Sequence, residues 1–194
     1  MLRNKIDKIR LLFRKDRESY SCFYCILGFY PRNIRLYEQA LLHKSTAVRS
    51  EKGRPLNNER LEFLGDAILD AIVGDIVYQH FEGKREGFLT NTRSKIVQRE
   101  TLNKLAVEIG LDKLIKYSTR SSSHNSYMYG NAFEAFIGAI YLDRGYECCK
   151  QFMERRIIEP YIDLDKLSRK EVNFKSKLIE WSQKKQDGSF FRID

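Results

Sequence analysis

The stretch Asn58-Glu59-Arg60-Leu61-Glu62-Phe63-Leu64-Gly65-Asp66 opens the most informative segment of this chain. Leu61, Leu64, Ile68, Ile72 and Ile76 recur at helical spacing, and Leu69, Val73 and Val77 widen the stripe. The pattern predicts one long helix from about Glu59 to Phe81 with most of its circumference buried. Asn57 and Asn58 are good N-cap residues ahead of it. On such a helix Glu59, Glu62 and Asp66 fall within about 60° of one another, so three carboxylates share one narrow face. Like charges placed this way repel and weaken the helix unless a cation lies among them. A hard divalent metal with oxygen ligands meets that need. An acidic face turned to water is the plain alternative. Gly65 leaves room for a second helix or a substrate to come close.

A second segment alters that balance. Asn131-Ala132-Phe133-Glu134 begins a strongly apolar run through Gly138 to Asp143, expected as a helix over about Asn131–Leu142 and ended by Gly145. Polar groups one turn apart on such a helix must face water, a metal or a partner. Two helices that each offer acidic oxygens can build a magnesium site between them. Asn131 as N-cap, with Glu134 completing a capping box, is the competing reading.

Working outward, helical periodicity dominates from Ile34 onwards. A helix is expected after Pro31, from Arg32 or Asn33 through Leu41 and Leu42. A helix of about eighteen residues is expected from a cap at Thr90 to the stop at Gly110. Another covers Glu147–Ile157 and stops before Pro160. Ser118–Ser126 is polar and serine-rich, and Asp163–Val172 reads as a charged linker. Almost no period-two alternation precedes residue 186, so residues 1–165 are expected to form an all-α domain. Asn173–Lys185 is then a fresh amphipathic helix with Phe174, Leu178 and Trp181 on one side, and Ser189–Ile193 has strand character. Residues 173–194 therefore read as the beginning of a second domain and the chain as a fragment of a longer one.

The net charge of +9 is unevenly spread: +8 over residues 1–56, −2 over 57–143 and +3 over 144–194. Basic flanks around an acidic middle suit a polyanion partner, or merely a solvated surface. No run of about 18 apolar residues exists, and charged residues interrupt the N-terminus, so neither a membrane span nor a signal peptide is expected. A soluble cytoplasmic protein is the reading. Cys22, Cys25, Cys148 and Cys149 lack the spacing of a zinc or redox site and are expected as small packing residues. His43, His80 and His124 form no triad with a nucleophile and are expected as structural or surface residues.

At Glu59–Asp66 and Asn131–Asp143 the sequence resembles ribonuclease III, the first segment almost residue for residue. Leu41–Ser45 is similar to that family's approach segment, and Glu86-Gly87 with Thr90-x-x-Arg93 to the entry of its middle helix. The resemblance runs in order from about Ile34 to Asp143. Asn173–Gln183 resembles the first helix of the double-stranded-RNA-binding domain that usually follows.

The resemblance implies a magnesium-dependent endonuclease of double-stranded RNA that processes structured precursors, including ribosomal RNA. Glu62, Asp66, Asn131 and Glu134 would hold the catalytic Mg2+. Glu59 and Glu86 match additional acidic positions, and Phe63 the aromatic residue that locks a homodimer. Each of two sites would cut one strand, leaving 5′-phosphates, 3′-hydroxyls and short 3′ overhangs. Lys116, Arg120, Ser176 and Glu180 are the expected RNA contacts. One departure stands out: most members carry Asp where this chain has Asn131. An Asn oxygen still ligates magnesium but brings no negative charge. The alternative reading is a non-catalytic double-stranded-RNA-binding protein that lost activity through Asn131.

Overall fold

In the computed structural model residues 17–118, 127–169 and 182 are described, and among them the regular elements are all helical. They are α1 (Arg17–Leu27), α2 (Ile34–Ala40), α3 (Glu59–His80), α4 (Glu86–Val97), α5 (Arg99–Glu108), α6 (Met128–Arg144), α7 (Tyr146–Phe152) and α8 (Leu164–Arg169). α7 continues into a π-helical stretch, Met153–Ile158, and a last turn, Glu159–Tyr161. The all-α expectation holds over this region. The segment expected to begin a second domain lies, apart from Ser182, outside the described residues.

α6 is the centre of the molecule. Ala132, Phe133, Ala135, Phe136, Ile137, Ala139 and Ile140 are all fully buried, so the helix is apolar nearly all round. α3, α5, α2 and α7 pack about it, with α3 making the most extensive contact. Phe136 meets the rings of Phe23, Tyr37 and Phe152 at 5.5–6.2 Å between centroids, tying α1, α2 and α7 to the same core. Full burial of side chains of this size contributes about 1.5–3 kcal/mol each. Asp143 then fixes the start of α2, accepting hydrogen bonds from Arg32 N (2.9 Å), Asn33 N (2.8 Å) and the Tyr37 hydroxyl (2.9 Å).

α3 and α6 touch backbone to backbone. A Cβ at Gly65 would lie 1.7 Å from the carbonyl oxygen of Glu134, and one at Gly138 would lie 2.4 Å from that of Leu61. Gly65 thus serves the close approach of a helix.

Several expectations change. The eighteen-residue helix is two helices, broken at Gln98, whose backbone is extended (φ −64°, ψ 147°). Thr101 holds the break by accepting from Gln98 Nε2 (3.2 Å) and donating to Lys95 O (2.8 Å). Thr90 lies inside α4, donating to Glu86 Oε1 at 2.7 Å, and is no cap. Asn58 makes no capping bond either; Asn57 Oδ1 accepts from Glu59 N at 3.1 Å instead. α6 begins three residues before Asn131, which removes the capping box with Glu134. Helical structure runs through Pro160, because proline sits in the first turn of a new segment, where its missing N–H costs nothing. Leu164–Arg169 is a packed helix and no linker: Leu164 is buried, Asp163 Oδ1 accepts from Lys166 N (2.9 Å), and buried Lys95 donates to the carbonyls of Leu167 (3.3 Å) and Ser168 (2.9 Å). α1 joins the core through Tyr20, Phe23 and Leu27. Cys149 is buried as expected, whereas Cys22 and Cys25 are exposed.

Two glycines of α3 give opposite expectations. Gly74→Ala meets its nearest neighbour, Arg93 Cδ, at an ordinary 3.8 Å and should stabilise by about 0.5–1 kcal/mol through helix propensity. Gly65→Ala must force the α3 and α6 backbones apart and should cost about 3 kcal/mol or more. Urea midpoints of the two variants check this, and equal shifts would contradict the contact.

Candidate active site

The glycine contact decides where the acidic side chains go. Gly65 follows Glu62 by three residues and precedes Asp66 by one, and Gly138 follows Glu134 by one turn. With the backbones touching there, Glu62 and Asp66 of α3 and Asn131 and Glu134 of α6 open into one cleft of about 440 Å³. The four residues expected to act together are brought together. Glu59 and Phe63 lie along the same cleft.

Charge in this cleft is out of balance. Glu134 is half-buried, and burial first, then the Asp66 and Glu62 carboxylates, push its carboxyl up to about 7. Glu62 is also raised, by burial and then by Glu59, while a hydrogen bond from the Asn131 amide pulls it the other way. Asn131 therefore acts as a donor to Glu62, a service that an ionised Asp could not perform. Glu59 is already engaged: Lys44 Nζ is 3.3 Å from its Oε1, and Asn57 Nδ2 donates to its Oε2 at 3.0 Å.

His43 and Lys44 form one wall, and the end of the segment after α5 holds it from behind. His43 N donates to Lys116 O (2.9 Å) and Lys116 N to Leu41 O (2.8 Å), while Asn58 N donates to Leu42 O (2.9 Å). His43 is buried, accepts from Ser45 N at its Nδ1 (3.3 Å), and has its basicity lowered by burial and then by Lys44. Asn58, also buried, lines the cleft, and its Nδ2 is buried without a protein partner.

Other expected residues lie elsewhere. Glu86 begins α4, is exposed, bonds Thr90 and does not line the cleft. Lys116 joins the wall through its backbone, with an exposed side chain. Arg120, Ser176 and Glu180 fall outside the described residues. Sequence reasoning gave no site role to Lys44 and Arg99 and read His43 as structural or surface, whereas all three line the cleft. His43 and Lys44 sit inside the quoted Leu41–Ser45 segment, so their signal was present. Arg99 depends on the break at Gln98 and had none.

The donor set fits a hard cation. The acidic residues and Asn131 offer oxygen donors, and burial followed by the Asp66 and Glu62 carboxylates raises Glu134. Among the described residues no three Asp, Glu, His or Cys side chains are already gathered tightly enough to grip an ion. Carboxylates that repel one another share the cleft without converging on a point.

Known proteins of similar sequence and fold share one family. A family model described as Ribonuclease-III-like matches residues 33–161. The chain is 96% identical over 195 residues to a Bacteroides fragilis protein named Ribonuclease 3, covering all of this chain and 67% of the relative. It is 89% identical to the Ribonuclease 3 of Bacteroides thetaiotaomicron, covering all of this chain and 63% of that relative. The chain thus spans about two thirds of these relatives' length. Among solved structures, the nuclease domain of Campylobacter jejuni ribonuclease III superposes with a TM-score of 0.64 at 31% identity, over 77% of this chain and 99% of that one. Dicer from Pichia stipitis matches with a TM-score of 0.54 at 30% identity, over 79% of this chain and 68% of that one.

Glu134 gives a pH prediction for the metal-free protein in chelator. Its folded-state value of about 7 lies above the ordinary 4.5, so the folded state binds the extra proton. Stability from that proton is full below about pH 4.5 and is lost as pH rises through about 7. Glu134→Gln, which mimics the protonated form, should therefore raise Tm little near pH 5 and fully by pH 8. Thermal melts at both pH values test it, and an equal gain at both would contradict the shift.

Proposed function

This chain belongs to the ribonuclease III family, and we propose that it carries the nuclease domain of a magnesium-dependent endoribonuclease that hydrolyses double-stranded RNA. The observation behind the reading is the meeting of three carboxylates and one amide, from two helices, in a single cleft with unbalanced negative charge. Residues 1–165 are assigned to this domain from the sequence, and α8 extends its packed part to Arg169. Residues 173–194 would begin a double-stranded-RNA-binding domain.

In this reading Glu62, Asp66, Asn131 and Glu134 hold the ion through oxygen. Magnesium, when bound, supplies the Lewis-acid chemistry of phosphodiester hydrolysis. Glu134 would hold the ion as a carboxylate, without the proton that its raised pKa retains. Asn131 would offer its amide oxygen in place of the hydrogen bond it now gives Glu62. Lys44 keeps Glu59 beside the site without surrendering it, which suits a supporting role. Glu86 stands outside the cleft, bonded to Thr90. The duplex is read by A-form shape, 2′-hydroxyls and phosphates, with Lys116, Arg120, Ser176 and Glu180 as contacts.

Phe63 is 82% exposed beside this acidic cleft, an unfavourable place for an aromatic ring facing water. A second copy of the chain covers it in the proposed homodimer, so that two sites face one duplex and each cuts one strand. The products are 5′-phosphates and 3′-hydroxyls with short 3′ overhangs, and the setting is cytoplasmic processing of structured precursors, including ribosomal RNA. Light scattering at micromolar concentration should give the mass of a dimer, and Phe63→Asp should shift it to the monomer. A wild-type monomer mass would overturn this assembly.

A magnesium titration of cleavage tests the site. Asn131→Asp should lower the magnesium needed for half-maximal cutting of duplex RNA by about tenfold, since a fourth anion is added and a competing hydrogen bond removed. Glu134→Gln should nearly abolish turnover while duplex binding persists. Single-stranded RNA of the same sequence should resist cutting. Wild-type-like cleavage by Glu134→Gln would refute the site, and an inactive wild type beside an active Asn131→Asp would favour the non-catalytic alternative.

A further inference from the structure

The acidic cleft has to admit a phosphodiester that its own carboxylates repel. Four acidic side chains, Glu59, Glu62, Asp66 and Glu134, line it against two cations, Lys44 and Arg99. Lys44 is bonded to Glu59 at 3.3 Å. Arg99 is placed differently. Its Cζ lies 4.0 Å over the ring centroid of Tyr127, and its charge reaches Glu62 and Glu134 through the cleft.

This placement is built by the fold. The extended backbone of Gln98 ends α4 and makes Arg99 the first residue of α5. α5 then meets the start of α6 closely: Asn103 Oδ1 accepts from Gly130 N at 2.7 Å, and a Cβ at Gly130 would lie 3.1 Å from that oxygen. Tyr127, just ahead of α6, is thereby brought under the guanidinium. A guanidinium resting face-on on an aromatic ring is held in orientation while its planar N–H edge stays turned outward for acceptors. Arg99 is exposed, so the hold is at the mouth of the cleft.

We propose that Arg99, steadied by Tyr127, is a phosphate-binding residue that contacts the backbone of the strand entering the acidic cleft. The proposal rests on the nuclease reading above. Until a cation arrives, Arg99 serves as partial counter-charge to Glu62 and Glu134. Once the carboxylates are neutralised, phosphate oxygen becomes its strongest available partner, and bidentate contact suits that geometry.

The test is duplex-RNA binding by the chain in Ca2+, across a salt series, for wild type, Arg99→Gln, Arg99→Lys, Tyr127→Phe and Tyr127→Ala. Each neutralised phosphate contributes about 0.9 to the slope of log affinity against log salt. Arg99→Gln should flatten the slope by about that amount and weaken binding about tenfold, with Arg99→Lys retaining the slope. Tyr127→Ala should weaken binding about threefold and Tyr127→Phe should match wild type. An unchanged slope in Arg99→Gln, with a lowered calcium requirement for binding, would show a counter-ion to the carboxylates only and overturn the proposal. Wild type that fails to bind duplex RNA at all would overturn the nuclease reading itself and the proposal with it. Circular dichroism melts of each variant keep misfolding apart from lost contact.

Discussion

The contact between the backbones of α3 and α6 at Gly65 and Gly138 is the constraint on which the site depends. A side chain at either position would collide with a carbonyl oxygen of the other helix. Ordinary helix packing keeps axes about 8–10 Å apart, set by the side chains at the contact, and here the contact is made by glycines. Glu62 and Asp66 on one helix and Asn131 and Glu134 on the other then share a cleft, although the two pairs lie 65–72 residues apart in the chain. The same contact lets α6 sink into the core while Glu134 still reaches the opening. An acidic residue on a helix buried nearly all round is tolerable only where such an opening exists.

That closeness has an electrostatic cost that the fold distributes. Lys44 takes up Glu59, the Asn131 amide takes up Glu62, and Arg99 bears on both Glu62 and Glu134. Glu134 stays raised to about 7, by burial first and then by the Asp66 and Glu62 carboxylates. Acidic side chains outnumber basic ones along the cleft, an excess that would suit the proposed divalent cation. A fully paired cluster would be more stable and would bind metal less well.

Much of this was legible in the sequence, and the exceptions have physical reasons. The carboxylates on Glu59–Asp66 declared themselves because a 3.6-residue period fixes which side chains share a face. Asn131 and Glu134 declared themselves because polar residues interrupt an apolar run. The crossing of α3 and α6 was only half legible: Gly65 advertised a close approach, but its partner, Gly138, is a tertiary fact. The break at Gln98 was invisible, since no Gly or Pro marks it and the bonds of Thr101 that hold it are local side-chain choices. Arg99 and Tyr127 were lost with it. α1 was overlooked although Tyr20, Phe23 and Leu27 recur at helical spacing. α8 was mistaken for a linker because much of its anchoring comes from Lys95, some seventy residues away.

Asn131 is where two demands on the cleft meet. An Asp there would give the metal a fourth anion, but in the metal-free protein it would face Glu62 across the gap that the Asn amide now bridges. One side chain thus exchanges cation affinity for a folded cleft that tolerates being empty of charge compensation. Such exchanges are common where a site must be held strained before its ligand arrives. The amide also differs from a carboxylate in being reversible in sense: rotation about its last torsion presents either a donor to Glu62 or an acceptor to a cation. With a cation in the proposed site, the amide oxygen would face it at the expense of the Glu62 hydrogen bond. Both demands fall on one side chain of α6, a helix held against α3 by a pair of glycines.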